Sequence, residues 1–265
     1  GIMTTLRDAV FGQAVGDALG VPYEFRARDS FVCTDMTGRG THGMPAGTWS
    51  DDTSMALALC DSYRELGCVE ADDILARFRA WRDEGAYSVD GLFDIGITTS
   101  IALDSGRGGA GERDNGNGSL MRTVPLAFTD ATDDEVRAVS AITHAHAIAC
   151  DACVDCVRAA RMLASGASTE RAALAVGMGW VATAPRGAIR SGGYVLDTWA
   201  AALWCLVRTS SYEECVLAAV NLGEDTDTTA AVAGALAGIV YGASSIPRSW
   251  MNALRGKDVI ERCLF

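Results

Sequence analysis

Three carboxylates crowd one short stretch of the chain, where Glu224, Asp225 and Asp227 precede residues 228–242. That following segment, TTAAVAGALAGIVYG, has almost no charged or long polar side chain. A helix that is small and apolar on every side is normally buried, so the pattern places an acidic cluster at the mouth of a buried helix. Such carboxylates resist ionisation unless the helix N-terminus or, more effectively, a divalent cation compensates them. The alternative is that Asp225 or Asp227 merely caps the helix.

A second stretch has the same design, because Ser50, Asp51 and Asp52 precede another small, apolar helical pattern. If the two helix starts face each other, they supply six oxygen donors: Ser50, Asp51, Asp52, Asp225, Asp227 and Thr228. Hard oxygen donors suit magnesium, manganese or calcium rather than zinc. We therefore predict a divalent-cation site, although spacing along the chain leaves open whether the helix starts meet.

Two glycine-rich loops and one isolated carboxylate are further candidates. Residues 114–122 (DNGNGSLMR) open a helical pattern, and their backbone N–H groups could hold a phosphate; a flexible turn is the alternative. Residues 191–198 (SGGYVLDT) add an aromatic ring, Tyr194, that could stack on a base or a sugar, unless the loop only presents Asp197 as a helix cap. Glu24 follows a small-residue helix and is a candidate base or metal neighbour, or else a surface carboxylate.

Three cysteines recur at every third position, Cys150, Cys153 and Cys156, just downstream of His144 and His146. A metal cluster is not favoured there, because the thiols lie in a continuous helical pattern and no second cysteine pair has ligand spacing. We interpret the three as buried helical thiols.

Helical periodicity covers most of the chain, whereas no stretch alternates apolar and polar residues over several positions. No repeat, low-complexity tract or linker divides the sequence, so we predict one all-α domain over residues 1–265. Its helical patterns span 4–20, 52–66, 70–84, 93–104, 119–128, 132–147, 149–165, 169–183, 197–208, 211–221, 226–242 and 246–263.

Composition narrows the class of function. With 49% hydrophobic and 21% charged residues, the 265-residue chain can bury a sizeable core. Its formal net charge of -12 disfavours binding to nucleic acid or to an anionic membrane, since no basic face is available to neutralise phosphates. The sequence has no signal-peptide pattern, no membrane-span pattern and an odd number of cysteines, nine. We expect a cytoplasmic, monomeric protein with reduced thiols.

The motifs as a set resemble those of the ADP-ribosylglycohydrolase family, in family order, over about residues 10–240. They are GDALG at 16–20 with Glu24 after it, WSDDTSM at 49–55, FDIG at 93–96, NGNGSLMR at 115–122, THAH at 143–146, GGYVLDTWAAALW at 192–204 and GEDTDTTAAVAGALAG at 223–238. In motif the chain is most similar to the dinitrogenase-reductase-activating glycohydrolase branch. The resemblance implies a compact, orthogonal, multi-helix all-α fold, two Mg²⁺ (or Mn²⁺) ions, and cleavage of the glycosidic bond at ribose C1″ of an ADP-ribosyl group.

The resemblance also implies roles for individual residues. The metal-ligand positions of the family are matched by Ser50, Asp51, Asp52, Asp225, Asp227 and Thr228. Many members have threonine where this chain has Ser50, and the hydroxyl ligand is retained. Glu24 matches a carboxylate that some branches use for catalysis near the metals. Asp94 matches the aspartate that the arginine-specific bacterial branch places by the scissile bond.

The remaining matched residues are expected to contact the substrate. Asn117, Gly118 and Ser119 would approach the ribose and the diphosphate. The ADP-ribose cleft would be lined by His144, Gly192, Gly193 and Tyr194.

The resulting hypothesis is metal-dependent hydrolysis of ADP-ribosyl-arginine on a protein, with release of ADP-ribose. A different bond (ADP-ribosyl-serine or a small derivative such as O-acetyl-ADP-ribose) and a non-catalytic ADP-ribose-binding relative are the alternatives. Retention of oxygen donors at all six ligand positions argues for an enzyme. A metal-dependent phosphohydrolase of another class would instead cleave the diphosphate and yield AMP.

Overall fold

The computed structural model describes residues 4–265, and within that range the chain forms twelve α-helices joined by loops and 3₁₀ turns, with isolated β-bridges but no strand. The all-α prediction is therefore confirmed. Among the described residues, no helix combines the length and the apolarity that crossing a bilayer requires. The helices are α1 (Leu6–Gly20), α2 (Asp51–Leu66), α3 (Ala71–Glu84), α4 (Ile97–Ser105), α5 (Asp133–Ala141), α6 (Ala147–Ala164), α7 (Thr169–Ala175), α8 (Val195–Arg208), α9 (Tyr212–Val220), α10 (Thr226–Tyr241), α11 (Arg248–Ala253) and α12 (Lys257–Cys263).

Helices α1 and α10 form the centre of the molecule. In α10 every residue from Thr226 to Ile239 is buried, and α1 is buried from Ala9 to Gly20. Their backbones touch, because a Cβ atom at Gly12 would overlap the carbonyl oxygen of Gly234. Glycine and alanine therefore permit this close approach, and the small-residue pattern of residues 228–242 reflects it. Helices α2, α6, α8 and α9 pack around α10.

The cysteine run lies in α6, as expected. Cys150, Cys153 and Cys156 are all buried and unbridged. The prediction of buried helical thiols is confirmed.

Five helical patterns either differ from the expected bounds by more than two residues or are not single α-helices. Residues 93–96 are extended, and α4 begins only at Ile97. Residues 119–128 form two 3₁₀ turns rather than an α-helix, since Pro125 lacks the N–H that a continuous helix would need there. The pattern predicted at 132–147 ends at Ala141, and a short loop separates it from α6.

The other two corrections involve glycines with positive φ. The helix predicted at 169–183 stops at Ala175, just before Gly177 (φ +75°). The helix predicted at 246–263 is two helices, α11 and α12, separated by Gly256 (φ +66°). Left-handed Gly177 follows the last turn of α7 and ends that helix, whereas Gly256 is the N-cap from which α12 begins; periodicity alone reveals neither.

Candidate functional site

The N-terminal ends of α2 and α10 meet in the fold. Thr228, in the first turn of α10, donates a hydrogen bond of 2.9 Å from its hydroxyl to Oδ2 of Asp52 in α2. Ser50 occupies the N-cap of α2, where its Oγ accepts a hydrogen bond of 3.3 Å from the backbone N–H of Asp52. The two helix starts that sequence spacing could not join therefore face each other.

Seven carboxylates gather at this junction, and one of them, Asp17, lies behind the others beside Asp52 and Asp227. We call the other six the acidic cluster: Glu24, Asp51, Asp52, Asp94, Asp225 and Asp227. Oxygens of Glu24, Asp225 and Asp227 lie within 4.8 Å of one another. The same limit holds for the trio of Asp51, Asp94 and Asp227. Two overlapping groups of donors at this distance are what a divalent cation with several oxygen ligands requires.

The aspartate oxygens of this cluster have no arginine or lysine partner among the described residues. The Oδ1 atoms of Asp225 and Asp227 are buried and have no hydrogen-bond partner among residues 4–265. Asp225 stands at the N-cap of α10, yet its side chain makes no capping hydrogen bond. Within residues 4–265 no arginine or lysine pairs with the cluster, and the one basic side chain in contact with it is His42, whose Nε2 lies 2.6 Å from Oε1 of Glu24. Capping alone therefore does not account for the carboxylate at Asp225.

The electrostatics of the cluster follow from this arrangement. Burial, with the charges of Asp52 and Glu24, raises the pKa of Asp227 well above the usual range of an aspartate. Burial and neighbouring carboxylates likewise raise the pKa values of Asp51 and Asp52 well above it. Oxygen-only donors, orphaned buried oxygens and mutual repulsion together fit a site for a hard divalent cation.

Glu24 is held by a short loop that sequence reasoning missed. Nε2 of His42 lies 2.6 Å from its Oε1, and the hydroxyl of Thr41 donates a hydrogen bond of 2.6 Å to its backbone carbonyl. Burial, followed by the charges of Asp94 and Asp225, raises the pKa of Glu24 to about 9. His42 also contacts the ring of Phe93, at 5.2 Å between centroids. No spacing pattern links a lone histidine to a glutamate eighteen residues earlier.

Asp17, in the GDALG motif, is a second residue that was missed. It is fully buried in α1 and accepts hydrogen bonds from Ser50 and Thr53 at the start of α2. Burial raises its pKa to about 6, and these hydrogen bonds oppose the shift. The available signal was a charged residue inside an otherwise small and apolar helical pattern.

A cleft of about 420 Å³ opens over the cluster, and residues from several distant segments line it. Asp94, from the loop before α4, is half-buried in its wall. Of the sequence-predicted site residues, the lining includes Glu24, Asp51, Asp52, Asp94, Asn117, Gly118, His144, Asp225 and Thr228. Ser50 and Asp227 lie behind the wall, in contact with lining residues.

Asn117 ties the glycine-rich loop to the acidic cluster. Its Nδ2 donates hydrogen bonds of 2.7 Å to Oδ2 of Asp225 and 2.9 Å to the hydroxyl of Thr198. Its backbone N–H donates to the carbonyl of Gly193 at 2.9 Å. The loops around Asn117 and Gly193 are thus fixed to each other at the edge of the acidic cluster.

Gly118 and Ser119 occupy different environments. A Cβ atom at Gly118 would lie 2.5 Å from Cε1 of His144, so only glycine fits beside that ring. Ser119 points into the core, where its Oγ accepts hydrogen bonds from Ser140 (2.8 Å) and the thiol of Cys153 (3.4 Å). Ser119 therefore supports the loop from beneath and its side chain does not line the cleft.

His144 is neutral in this setting. Burial, reinforced by the positive charge of Arg122, lowers its pKa to about 3. Its Nδ1 lies 2.8 Å from the hydroxyl of Thr143, which also accepts a hydrogen bond of 2.8 Å from Arg122. If the Thr143 hydroxyl donates to Nδ1, the ring proton resides on Nε2, and Nε2 can donate to a ligand in the cleft.

The loop before α8 lies next to the cleft. Gly193 accepts the hydrogen bond from Asn117 and stands close to Asp225. Gly192 and Tyr194, in contrast, line two neighbouring cavities of about 400 and 420 Å³. The ring of Tyr194 is 41% exposed, so in this structure it does not form a wall of the main cleft.

Two non-glycine residues with left-handed backbone conformation border the cluster, Phe25 (φ +71°) and Glu224 (φ +63°). Their backbones are joined by a hydrogen bond of 2.7 Å from the N–H of Phe25 to the carbonyl of Glu224. Such conformations cost energy and are concentrated at functional sites. Glu24 directly precedes Phe25, and Asp225 directly follows Glu224. The two left-handed residues therefore direct the side chains of Glu24 and Asp225 toward the same point.

Comparison with known proteins decides the family. The family model described as "ADP-ribosylglycohydrolase" matches residues 3–264. The chain belongs to the ADP-ribosylglycohydrolase family. The resemblance to this family is therefore confirmed. The expectation that the protein is a hydrolase, based on the oxygen donors retained at all six ligand positions, is confirmed as well.

Relatives of this ADP-ribosylglycohydrolase cover nearly the whole chain. It is 34% identical to "ADP-ribosylarginine hydrolase Tri1" of Pseudomonas putida (strain GB-1), over 97% of this chain and 76% of the relative. It is 32% identical to "ADP-ribosyl-[dinitrogen reductase] glycohydrolase" of Rhodospirillum rubrum, over 93% and 88%. A solved structure of an "ADP-ribosylglycohydrolase-related protein complex" superposes with a TM-score of 0.83 at 33% identity, over 97% of this chain and 95% of the other.

Proposed function

We propose that the protein is a metal-dependent ADP-ribosylarginine hydrolase that releases ADP-ribose from modified arginine side chains of proteins. The observation that carries the proposal is the pair of buried, unpartnered Oδ1 atoms of Asp225 and Asp227, directly behind a cleft that Asp94 also lines. Relatives named as hydrolases of ADP-ribosylarginine and of ADP-ribosylated dinitrogen reductase support the substrate class.

Two Mg²⁺ or Mn²⁺ ions would be held by Ser50, Asp51, Asp52, Asp225, Asp227 and Thr228, with Glu24 beside them. Divalent ions, when bound by these residues, would supply Lewis acidity for orienting the sugar and a water molecule. The acidic cluster contributes negative oxygens near C1″, where positive charge develops as the glycosidic bond breaks.

Asp94 and Glu24 are the two candidates for proton transfer. Water adds to C1″ while the bond from C1″ to the guanidine nitrogen breaks; the water loses its proton to a carboxylate, and the departing nitrogen gains one. Asp94 lies half-buried at the cleft wall, whereas Oε1 of Glu24 is already occupied by His42. This difference favours Asp94 for the transfer and leaves Glu24 to orient groups near the metals.

The remaining residues bind and position the substrate. Asn117 holds Asp225 in place, and the close approach at Gly118 exposes backbone to the ribose and diphosphate. With the Thr143 hydroxyl donating to Nδ1, neutral His144 would carry its proton on Nε2 and donate a hydrogen bond to a substrate oxygen. These donors allow an acidic protein to bind a diphosphate without a basic surface.

Product analysis by mass spectrometry tests the proposal. The protein is incubated with an arginine-ADP-ribosylated and a serine-ADP-ribosylated peptide, with Mg²⁺, with Mn²⁺ and with a chelator. We expect free ADP-ribose from the arginine peptide alone, abolished by chelator and by Asp227→Asn, and retained in Asp258→Ala, a change at an exposed aspartate of α12.

Other outcomes would replace the proposal. Release from the serine peptide would keep the glycosidic chemistry and reverse the acceptor. Binding of ADP-ribose without turnover of either peptide would indicate a small-molecule substrate such as O-acetyl-ADP-ribose, or a binding protein. AMP as the product would indicate a phosphohydrolase. Comparing Asp94→Asn with Glu24→Gln in single turnovers identifies the carboxylate that transfers the proton.

A further inference from the structure

Asp17 lies beneath the start of α2, and its carboxylate accepts four hydrogen bonds from that helix start. Its Oδ1 accepts a hydrogen bond of 2.8 Å from the hydroxyl of Ser50. Its Oδ2 accepts three more, from the backbone N–H of Ser50 (2.9 Å), the N–H of Thr53 (3.2 Å) and the hydroxyl of Thr53 (2.7 Å). Each carboxylate oxygen offers about two lone-pair positions, so Oδ2 is fully engaged, whereas Oδ1 is engaged by the Ser50 hydroxyl and has one further position.

The hydrogen bonds of Ser50 can be counted in the same way. A hydroxyl has one donor hydrogen and two acceptor lone pairs. The hydrogen goes to Asp17, and one lone pair accepts the N–H of Asp52 at 3.3 Å. A single lone pair of Ser50 therefore remains for a ligand.

We propose that Asp17 is a positioning residue that fixes the Ser50 hydroxyl with its hydrogen turned inward and its free lone pair available to a divalent cation. The inference rests on the proposed function, in which Ser50 is a metal ligand. In this assignment Asp17 acts through Ser50 and is not itself a ligand, although one of its oxygens lies within 4.8 Å of oxygens of Asp52 and Asp227. Its burial and its four donors make the orientation of the hydroxyl a property of the folded protein before any ion binds.

The variant Asp17→Asn turns this hydrogen bond around. The amide oxygen must take the Oδ2 position, because three donors converge there, so the amide NH₂ must face Ser50. Ser50 would then accept two hydrogen bonds, from Asn and from the N–H of Asp52, and keep no lone pair for a cation. The isosteric change preserves most of the packing while it removes the ligand.

The experiment measures Mn²⁺ affinity by isothermal titration calorimetry, on the full chain and without substrate. We expect Asp17→Asn to weaken Mn²⁺ binding by about 100-fold. Asp17→Ala leaves the Ser50 hydroxyl free to rotate and should weaken binding by about 10-fold. Both values lie in the range typical of residues behind a metal ligand. A merely structural role predicts the reverse order, since Ala removes all four hydrogen bonds. The matched control is Asp8→Asn, the same change in the same helix, where the side chain bonds Thr5 and Ala243 instead; its affinity should equal that of the wild type.

A second background separates the outcomes. In Ser50→Ala, Asp17→Asn should change Mn²⁺ affinity less than about twofold, because the hydroxyl through which it acts is absent. This inference alone is overturned if Asp17→Asn binds Mn²⁺ as tightly as the wild type does. It is also overturned if Asp17→Asn loses as much Mn²⁺ affinity in the Ser50→Ala background as in the wild-type background. If Asp17→Asn does not fold, an undiminished affinity in Asp17→Ala overturns it in the same way. A wild-type protein that binds no Mn²⁺ overturns the proposed function as well.

Discussion

The hydroxyl of Thr228 donates a hydrogen bond of 2.9 Å to Oδ2 of Asp52, a residue 176 positions earlier in the chain. This bond joins the first turns of α10 and α2 and closes the acidic cluster on one side. Both residues are buried. The candidate metal site is thus formed by two helix starts whose distance in sequence gives no indication of their contact.

Binding of a divalent cation should stabilise the fold, since it compensates carboxylates that have no positive partner. At about one hundred times its dissociation constant, Mn²⁺ should raise the free energy of unfolding by about 2.7 kcal/mol, measured by thermal denaturation with and without chelator. Asp227→Asn should lose this gain and yet melt no lower than the metal-free wild type, because it removes a buried, repelled charge. The exposed-site variant Asp258→Ala should keep the full shift. Equal Mn²⁺ shifts in Asp227→Asn and wild type would contradict the assignment of Asp227 as a ligand.

The metal-free protein should lose stability as the pH rises. The pKa of Glu24 is raised from 4.5 to about 9 and that of Asp17 from 3.8 to about 6, in both cases chiefly by burial. A carboxyl group of raised folded-state pKa contributes its full stability below its unfolded pKa and loses it as the pH rises through the folded value. The free energy of unfolding in chelator, from urea titrations, should therefore fall between about pH 4 and about pH 9. A rise over that window would show that the cluster is not buried as described.

Gly12→Ala should destabilise the protein by separating α1 from α10. The new Cβ would overlap the carbonyl of Gly234, and overpacking of a close helix contact costs about 1–3 kcal/mol. The control is Gly187→Ala, where a Cβ meets nothing within 4 Å and the free energy of unfolding should change by less than about 0.5 kcal/mol. Chemical denaturation of both variants checks the prediction, and equal stabilities would show that the two backbones can move apart without cost.

His42→Phe should lower activity more than stability. The substitution retains an aromatic ring against Phe25 and Phe93 but removes the bond to Glu24. A hydrogen bond to a charged group contributes about 1.5–3 kcal/mol, so kcat/KM should fall about 10- to 100-fold. His146→Phe makes the same change outside the cluster and should leave kcat/KM near the wild-type value. Wild-type kcat/KM in His42→Phe would mean that Glu24 does not depend on this partner.

Local chemistry explains which features could be predicted. The donors at Ser50, Asp51, Asp225 and Asp227 stand out because acidic and hydroxyl groups directly precede small, apolar helical patterns, and both patterns depend on neighbouring residues only. Asp17 was not predicted as a site residue, because its role arises from hydrogen bonds to residues 33 and 36 positions away. The end of α7 before Gly177 and the start of α12 after Gly256 differ from the predicted bounds, since a positive φ is a property of the folded backbone.

The sequence by itself determined that the chain is helical, that its acidic donors stand at helix starts and that the motifs are those of an ADP-ribosylglycohydrolase, because periodicity, capping chemistry and motif order are all local in the chain. The tertiary structure alone decided that α2 and α10 begin at the same point, that Asp17 lies behind Ser50, and that His42 holds Glu24. These contacts depend on how closely α1 approaches α10 and on which loops the packing brings together. The order of residues along the chain contains no measure of these distances in space.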